Sequence, residues 1–223
     1  MNISNDTIKV LKNFATINPN IVVKPGQRLA TIADAKNILA SANIVEDFPQ
    51  EFGIYDLNEF LSVYGLIDDA SLDFKDNSVS IDNATSNINY YFSEPEILTS
   101  PEKEITMPDP EFQIDLSLET LNQLRKASAV LGHTELAIIG DNGTITASLF
   151  DSKDNTSNTY GCALDEGNAC TNEFEFVVNM ANLKLLEGDY SVSFSSKMIS
   201  HWQNTDYDVN YFIALEKSSK YVV

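Results

Sequence analysis

Apolar residues recur at helical spacing close to the start of the chain. When residues 4–17 are placed at 100° per residue, one arc is continuously apolar and the opposite arc is polar. Ser4 suits the N-cap position, and Asp6 follows in the first turn, where a negative charge favours the helix dipole. The apolar arc consists of Ile8, Val10, Leu11, Phe14, Ala15 and Ile17. The polar face, which we expect to contain no acid, consists of Lys9, Lys12, Asn13 and Thr16.

Beyond this helix the pattern changes to short apolar runs separated by turn residues. Pro19 ends the helix, and a second helix is predicted over residues 57–66 with Asp56 as its cap. The short runs predict antiparallel strands at residues 21–23, 28–32, 37–42, 52–55, 71–75, 78–82 and 88–92. The first part of the chain is therefore predicted to run helix, strands, helix, strands.

Residues 95–110 interrupt this pattern. They contain four of the seven prolines together with four acids, so they cannot sustain a helix or a central strand. We predict an extended linker over residues 95–110, with one domain before it at residues 1–94 and a second after it at residues 111–223.

The second half repeats the order of the first. Ser117 caps a predicted helix that ends at Leu131, and Asn179 caps a predicted short helix over residues 179–184. Leu11 and Leu124 lie on the inner arcs of the two long helices, 113 residues apart. Strands are predicted at residues 136–140, 144–150, 173–178, 190–195, 197–201 and 211–216. The fold class is α+β, with two similar domains that each combine antiparallel sheets and two helices.

The charge balance restricts the binding functions. The chain has 14 Lys and Arg against 33 Asp and Glu, a formal net charge of -19, so on average it repels nucleic acid. Any DNA contact must use a small, segregated set of cations. An acidic protein that mimics DNA is the alternative interpretation, because it needs no basic face.

The residues that usually mark catalysis or metal binding are sparse. Two histidines and two cysteines, Cys162 and Cys170, lack zinc-ligand spacing, and we expect both thiols to be free. No phosphate-binding loop is present, and adjacent acids such as Asp68-Asp69 and Asp165-Glu166 are expected to be solvated. No apolar run approaches the roughly 20 residues that span a bilayer. We predict a protein that is not an enzyme, needs no cofactor and does not enter the membrane.

Four strings in register resemble the sliding clamp family of T-even-type bacteriophages. They are residues 11–18 (LKNFATIN), 54–61 (IYDLNEFL), 176–184 (FVVNMANLK) and 211–216 (YFIALE). Their order, their spacing and the total length agree with that family from end to end.

This resemblance implies a ring of three protomers with pseudo-six-fold symmetry, in which helices line a central hole around duplex DNA. It also implies four kinds of partner in the cytoplasm of the infected bacterium. These are DNA bound without sequence preference, the phage DNA polymerase, an ATP-driven clamp loader and late-transcription factors.

On this basis the candidate DNA-facing residues are cations and short polar groups on the helix faces. We predict that the channel is lined by Lys9, Lys12, Asn13, Arg125, Lys126 and Lys184. The second helix departs from this scheme, because its charges are Asp56 and Glu59.

Partners of such clamps insert short apolar peptides into a surface pocket. Two segments offer apolar residues that are positioned to form its walls, the linker and the last predicted strand. The candidate wall residues are Ile97, Leu98, Ile105, Met107, Tyr211, Phe212 and Ile213. For alternate residues of the last strand, burial in the core is the favoured alternative.

Overall fold

The computed structural model describes residues 1–141, 143–154, 156–164 and 173–221. The chain forms two compact units. The first is Met1–Glu104 with Tyr207–Val209, and the second is Ile105–Asp206 with Asn210–Val223 as far as these are described. The division falls between Glu104 and Ile105, inside the segment 95–110 that the prolines mark.

The first unit follows the predicted order of helix, strands, helix and strands. Its elements are α1 (Asn5–Ile17), β1 (Ile21–Val23), β2 (Gly26–Ile32), β3 (Ile38–Phe48), β4 (Phe52–Ile54), α2 (Leu57–Tyr64), β5 (Ser71–Phe74), β6 (Ser78–Asp82) and β7 (Asn87–Tyr91). All pairings are antiparallel: β1 pairs with β4, β2 with β3, and β6 lies between β5 and β7. A single turn of 3-10 helix, Pro95–Ile97, opens the linker.

Local capping and periodicity account for the two helices of this unit. The Ser4 hydroxyl accepts a hydrogen bond from the Thr7 N–H at 3.2 Å, which satisfies one of the first free donors of α1. The Asp56 carboxylate does the same for the Glu59 N–H of α2 at 3.0 Å. The residues of α1 that are buried are Thr7, Val10, Leu11, Phe14 and Ile17. Both predicted caps are confirmed.

The second unit is built from two antiparallel sheets and one α-helix. Its elements are β8 (Phe112–Leu116), α3 (Leu118–Leu131), β9 (Glu135–Asp141), β10 (Thr144–Phe150), β11 (Tyr160–Ala163), β12 (Phe174–Asn179), β13 (Tyr190–Ser195), β14 (Ile199–Asn204), β15 (Val209–Ala214) and β16 (Lys220–Tyr221). One sheet has the order β11-β10-β9-β12-β16, and the other contains β8, β13, β14 and β15 in that order. Ser117 caps α3, which ends at Gly132 with φ 73°.

Several features of this unit differ from the sequence-based prediction. The short helix predicted at residues 179–184 is one turn of 3-10 helix, Met180–Asn182, although Asn179 does cap it at the Ala181 N–H. The strands β8, β11 and β16 were not predicted either. Residues 112–116 (FQIDL) do alternate apolar and polar side chains, and β8 pairs with β13, about 80 residues further along the chain. The largest buried side chains of this unit include Trp202, Tyr190 and Phe176. In the described part of the chain, no helix is long and apolar enough to cross a membrane.

Candidate DNA-facing surface and partner groove

Helix α1 presents two lysines on its solvent side. Lys9 and Lys12 are three residues apart, so they lie on neighbouring positions of one helix face, and both are exposed. Asn13 beside them is half-buried. The opposite face of α1 is fixed by Phe14 and Leu11, which are 0% and 3% exposed. Burial of that face therefore determines which way the lysines point.

The surroundings of Lys9 differ from the prediction of a face without acid. The Lys9 ammonium donates hydrogen bonds to the Asp6 carboxylate at 3.0 Å and to the Tyr207 hydroxyl at 3.0 Å. Its Nζ atom also lies 5.4 Å from the centre of the Tyr207 ring. The hydrogen bond to Tyr207 and the charge and hydrogen bond of Asp6 raise the pKa of Lys9. Asp6 shares this face because it precedes Lys9 by three residues, one helical turn.

Helix α3 places its two predicted cations in different environments. Lys126 is exposed, whereas Arg125 is half-buried. The Arg125 guanidinium approaches the backbone carbonyls of Leu183 and Leu185, with Nη2 to O distances of 3.4 and 3.5 Å. These long contacts direct Arg125 toward the segment after the 3-10 turn. The guanidinium is therefore partly engaged by the protein backbone, and a DNA-facing role for Arg125 stays a prediction.

Lys184 does not lie on a helix. The 3-10 turn ends at Asn182, and Lys184 follows it as a half-buried residue between Leu183 and Leu185, both of which are buried. The sequence placed Lys184 on a helix face only because it predicted a longer helix, over residues 179–184.

A groove in the first unit was not anticipated from the sequence. It encloses about 270 Å³ between β1, β2, β3 and the middle of the linker. Val22, Ala30 and Leu39 contribute apolar surface, and Pro101 of the linker faces them. The lining residues come from four separated segments, so no single string marks the groove.

Charged side chains stand at the edges of this groove. Arg28 of β2 forms an ion pair with Glu104 of the linker, and Lys24, Glu102 and Lys103 also line it. Both partners of the ion pair are well exposed, so it contributes little to stability. The ion pair does, however, place the linker beside β2.

The predicted pocket residues separate into exposed and buried groups. Ile97 is 71% exposed and Ile105 is 40% exposed, while Leu98 is buried and Met107 is half-buried. On the last predicted strand Tyr211 and Ile213 are both 0% exposed, so they cannot line an open pocket. Alternate side chains of β15 point into the core, which is the alternative that the sequence favoured for this strand.

Phe212, the third candidate residue of that strand, faces the other side of the sheet. Phe212 is half-buried and stacks on the His201 ring, with centroids 4.6 Å apart. His201 Nε2 also bonds the Asn210 side chain at 2.8 Å. Burial lowers the pKa of His201, and the hydrogen bond with Asn210 opposes that shift. This histidine is therefore part of a packed surface cluster.

The described residues contain no group of three or more His, Cys, Asp or Glu side chains placed to hold a metal ion. Cys162 is a free, half-buried thiol on β11, and burial raises its pKa. The predictions for Cys170 and for Asp165-Glu166 lie outside the described residues.

Solved structures that share this fold include DNA clamps. A PCNA from Thermococcus kodakaraensis matches with a TM-score of 0.70 at 11% identity, over 95% of this chain and 96% of that chain. A DNA polymerase III beta chain from Streptococcus pneumoniae matches with a TM-score of 0.67 at 15% identity, over 95% of this chain and 63% of that chain. At these identities the likeness establishes the fold, which is the DNA clamp fold.

Sequence relatives narrow this class. The family described as "DNA polymerase processivity factor" matches residues 4–97, and "gp45 sliding clamp, C terminal" matches residues 113–217. The sliding clamp of Vibrio phage KVP40 is 34% identical over 223 residues, which span 97% of this chain and 99% of the relative. The sliding clamp of Enterobacteria phage T4 is 33% identical over 225 residues, 98% of both chains. The chain belongs to the phage sliding clamp family of DNA polymerase processivity factors. This membership confirms the resemblance and disfavours the acidic DNA mimic.

Proposed function

We propose that three copies of this chain close into a ring around duplex DNA and hold the phage DNA polymerase on its template. The observation that carries the DNA-facing assignment is the exposed lysine on the first α-helix of each unit. Lys9 and Lys12 occupy α1, and Lys126 occupies α3. They are exposed cations on α-helices of a chain whose net charge is -19.

Weak contacts suit this function. A ring that encloses DNA is retained by topology, so its cations need only screen phosphates and centre the duplex. The acidic remainder of the surface repels DNA and leaves the lysine faces as the favourable place for it. We infer that the protein acts without catalysis and without a cofactor, because topological retention requires neither.

Ring closure requires strand edges that a second copy can pair with. In the described part of the chain, β7 is one edge of the three-stranded sheet, and β11 is one edge of the five-stranded sheet. The other edge strand of the three-stranded sheet, β5, is covered by two hydrogen bonds between the main-chain groups of Met1 and Leu72, at 2.7 and 2.9 Å. Tyr91 at the end of β7 is 70% exposed. We infer that β7 of one protomer pairs with β11 of the next.

The groove between the strands and the linker suits the second part of the proposed function, the binding of the polymerase. Its apolar floor and charged edges match a short peptide that carries apolar side chains and is anchored by a few polar contacts. The polymerase, an ATP-driven clamp loader and late-transcription factors would take turns at this groove. Such partners meet the clamp in the cytoplasm of the infected bacterium.

The channel assignment is tested by reversing charge on the helix faces. The variant Lys9→Glu/Lys12→Glu/Lys126→Glu should assemble as a trimer, and it should lose processive synthesis on a primed circular template. Primer-extension length, measured with polymerase and loader present, reports processivity, and native mass spectrometry reports assembly.

A matched control carries the same change in charge elsewhere. Lys36, Lys75 and Lys153 are exposed and lie outside the α-helices, so their reversal to Glu should leave extension length unchanged. Unaltered processivity in the helix variant, or an equal loss in both variants, contradicts the channel assignment. A chain that remains monomeric at high concentration contradicts the ring itself.

A further inference from the structure

Two residues of the first unit engage the same DNA-facing lysine. The Lys9 ammonium has three N–H donors, of which one is directed to Asp6 and a second to Tyr207, each at 3.0 Å. Asp6 lies one helical turn before Lys9, whereas Tyr207 comes from a segment 198 residues away in sequence. The lysine side chain nevertheless remains 53% exposed and the aspartate 66% exposed. The ammonium is thus accessible to solvent while it is partly committed to partners.

We propose that Asp6 and Tyr207 are positioning residues that weaken and steer the contact of Lys9 with the DNA backbone, so that the ring slides rather than adheres. This inference rests on the proposed function, in which α1 faces DNA. It adds two residues that carry no positive charge to the DNA-facing surface, and it assigns them an effect that is exerted through Lys9.

A DNA phosphate and the Asp6 carboxylate compete for the same cation, Lys9. A phosphate that approaches Lys9 meets the Asp6 carboxylate within hydrogen-bond distance of the same nitrogen, and the two anions repel each other. A phosphate therefore either binds the third N–H of Lys9 against this repulsion or displaces Asp6 from the ammonium. In both cases the net gain is small, because the repulsion offsets the new charge-assisted bond or one such bond replaces another. A small gain allows Lys9 to move from one phosphate to the next at little cost.

Tyr207 has a different part in this arrangement. Its hydroxyl accepts a hydrogen bond without adding a charge, and its ring lies 5.4 Å from the Lys9 nitrogen. The tyrosine thus restricts the directions in which a long, flexible side chain can reach. We expect Tyr207→Phe to free the ammonium without changing the net charge.

An ordinary surface ion pair is the competing explanation. An Asp and a Lys three residues apart on a helix stabilise it by a few tenths of a kcal/mol, whether or not DNA is present. Removal of Asp6 would then change the stability of α1 slightly, and its effect on DNA binding would be that of any added positive charge.

The experiment measures DNA affinity as a function of salt for the assembled clamp. Fluorescence anisotropy of a labelled linear duplex gives the slope of log affinity against log salt for the wild type, Asp6→Asn and Tyr207→Phe. We expect Asp6→Asn to bind roughly two- to fivefold more tightly at low salt. The slope should steepen by up to about 0.9, the value for one further phosphate contact. Loaded on stretched DNA, the same variant should diffuse more slowly than the wild type.

Two controls separate an effect through Lys9 from a general effect of charge. Asp73 lies on β5, is exposed and forms an ion pair with Lys75. Asp73→Asn therefore makes the same change in charge on an element other than α1. In a Lys9→Met background, Asp6→Asn should no longer tighten binding, because the residue through which it acts is absent.

The outcomes distinguish this inference from the proposed function. If Lys9→Met weakens DNA binding but Asp6→Asn behaves like Asp73→Asn, the inference is overturned and the channel assignment stands. The same holds if Asp6→Asn tightens binding equally in the Lys9→Met background. If Lys9→Met changes nothing, the DNA-facing assignment of Lys9 fails as well.

Discussion

The Glu46 carboxylate of β3 accepts a hydrogen bond from the Thr7 hydroxyl of α1 at 2.5 Å, and both residues are buried. The other oxygen of this carboxylate accepts from the Ser4 backbone N–H. Glu46 thus satisfies a donor at the positive end of α1, where a negative charge is favourable. This anchor holds the start of the helix that carries Lys9 and Lys12.

Replacing this carboxylate should loosen the first unit. We expect Glu46→Gln to lower the free energy of unfolding by about 1–3 kcal/mol at neutral pH, because the charge-assisted bonds to Thr7 and Ser4 are lost. Urea denaturation followed by far-ultraviolet circular dichroism measures the change. The exposed Glu51→Gln is the matched control and should leave the midpoint within error.

The same residue gives a pH dependence with a defined sign. Burial alone would raise the pKa of Glu46, but the hydrogen bonds from Thr7 and Ser4 outweigh it and hold the pKa below its usual value. The stabilisation is therefore complete above the unfolded pKa of about 4.3, and it is lost as the pH falls through the lowered folded pKa. Glu46→Gln should lose less stability than the wild type across this acid range. An identical acid profile for both proteins would show that Glu46 is not the group responsible.

Buried tyrosines should make the second unit sensitive to alkali. The Tyr190 hydroxyl donates to the Leu186 carbonyl at 2.6 Å, and burial raises the pKa of Tyr190 to about 12. Because the folded pKa lies above the unfolded value of about 10, stability is complete below about pH 10 and falls as the pH rises toward 12. Tyr190→Phe should cost about 0.5–1.5 kcal/mol at neutral pH and reduce the alkaline loss. Fluorescence of Trp202, whose ring lies 6.3 Å from that of Tyr190, reports unfolding.

Filling the groove should separate polymerase binding from ring assembly. Ala30 is a half-buried residue of the groove, so Ala30→Glu introduces bulk and charge where an apolar peptide would lie. We expect at least a tenfold loss of affinity for polymerase, equivalent to about 1.4 kcal/mol, with the trimer intact. Gln27→Glu on the same strand makes the same change in charge outside the groove lining. Equal affinity for the two variants would exclude this groove as the polymerase site.

Charge on the edge of β7 should prevent ring closure. Tyr91 is 70% exposed on this strand, and a lysine there disfavours pairing of the edge with another chain. Tyr91→Lys should yield monomers in analytical ultracentrifugation while its urea midpoint stays close to that of the wild type. Tyr55→Lys is a fair comparison, because Tyr55 is 67% exposed and lies outside the strands. A fully trimeric Tyr91→Lys protein would count against the β7 interface.

Elements that depend on neighbours in sequence were predictable. The helix predicted at residues 4–17 is Asn5–Ile17, and the strands predicted at residues 78–82 and 190–195 have the same bounds in the structure. Caps and periodicity act within a few residues, so the sequence displays them directly. By contrast, β8 was not predicted, although residues 112–116 (FQIDL) alternate apolar and polar side chains. The run is only five residues long and follows directly after the proline-rich linker, and its pairing with the distant β13 is seen only in the structure.

The candidate site was predictable only in part, for the same reason. The lysines of α1 follow from the apolar arc opposite them, because burial of that arc forces Lys9 and Lys12 outward. Arg125 lies at the margin of the apolar arc of α3, and its guanidinium contacts the Leu183 carbonyl, 58 residues further along the chain. Periodicity within the helix could not predict this contact. The groove draws its lining from segments around Val22, Ala30, Leu39 and Pro101.

Local sequence pattern was enough to predict the two helix-and-strand halves, the family, and the small set of cations available for DNA in a chain of net charge -19. The groups that those cations contact could be read only from the packing of distant segments. Folding brings Tyr207 to Lys9 across 198 residues and buries Tyr211, which the last strand alone left as a candidate surface residue. Periodicity states which face of an element is apolar, whereas the partners of the polar face depend on how distant segments pack.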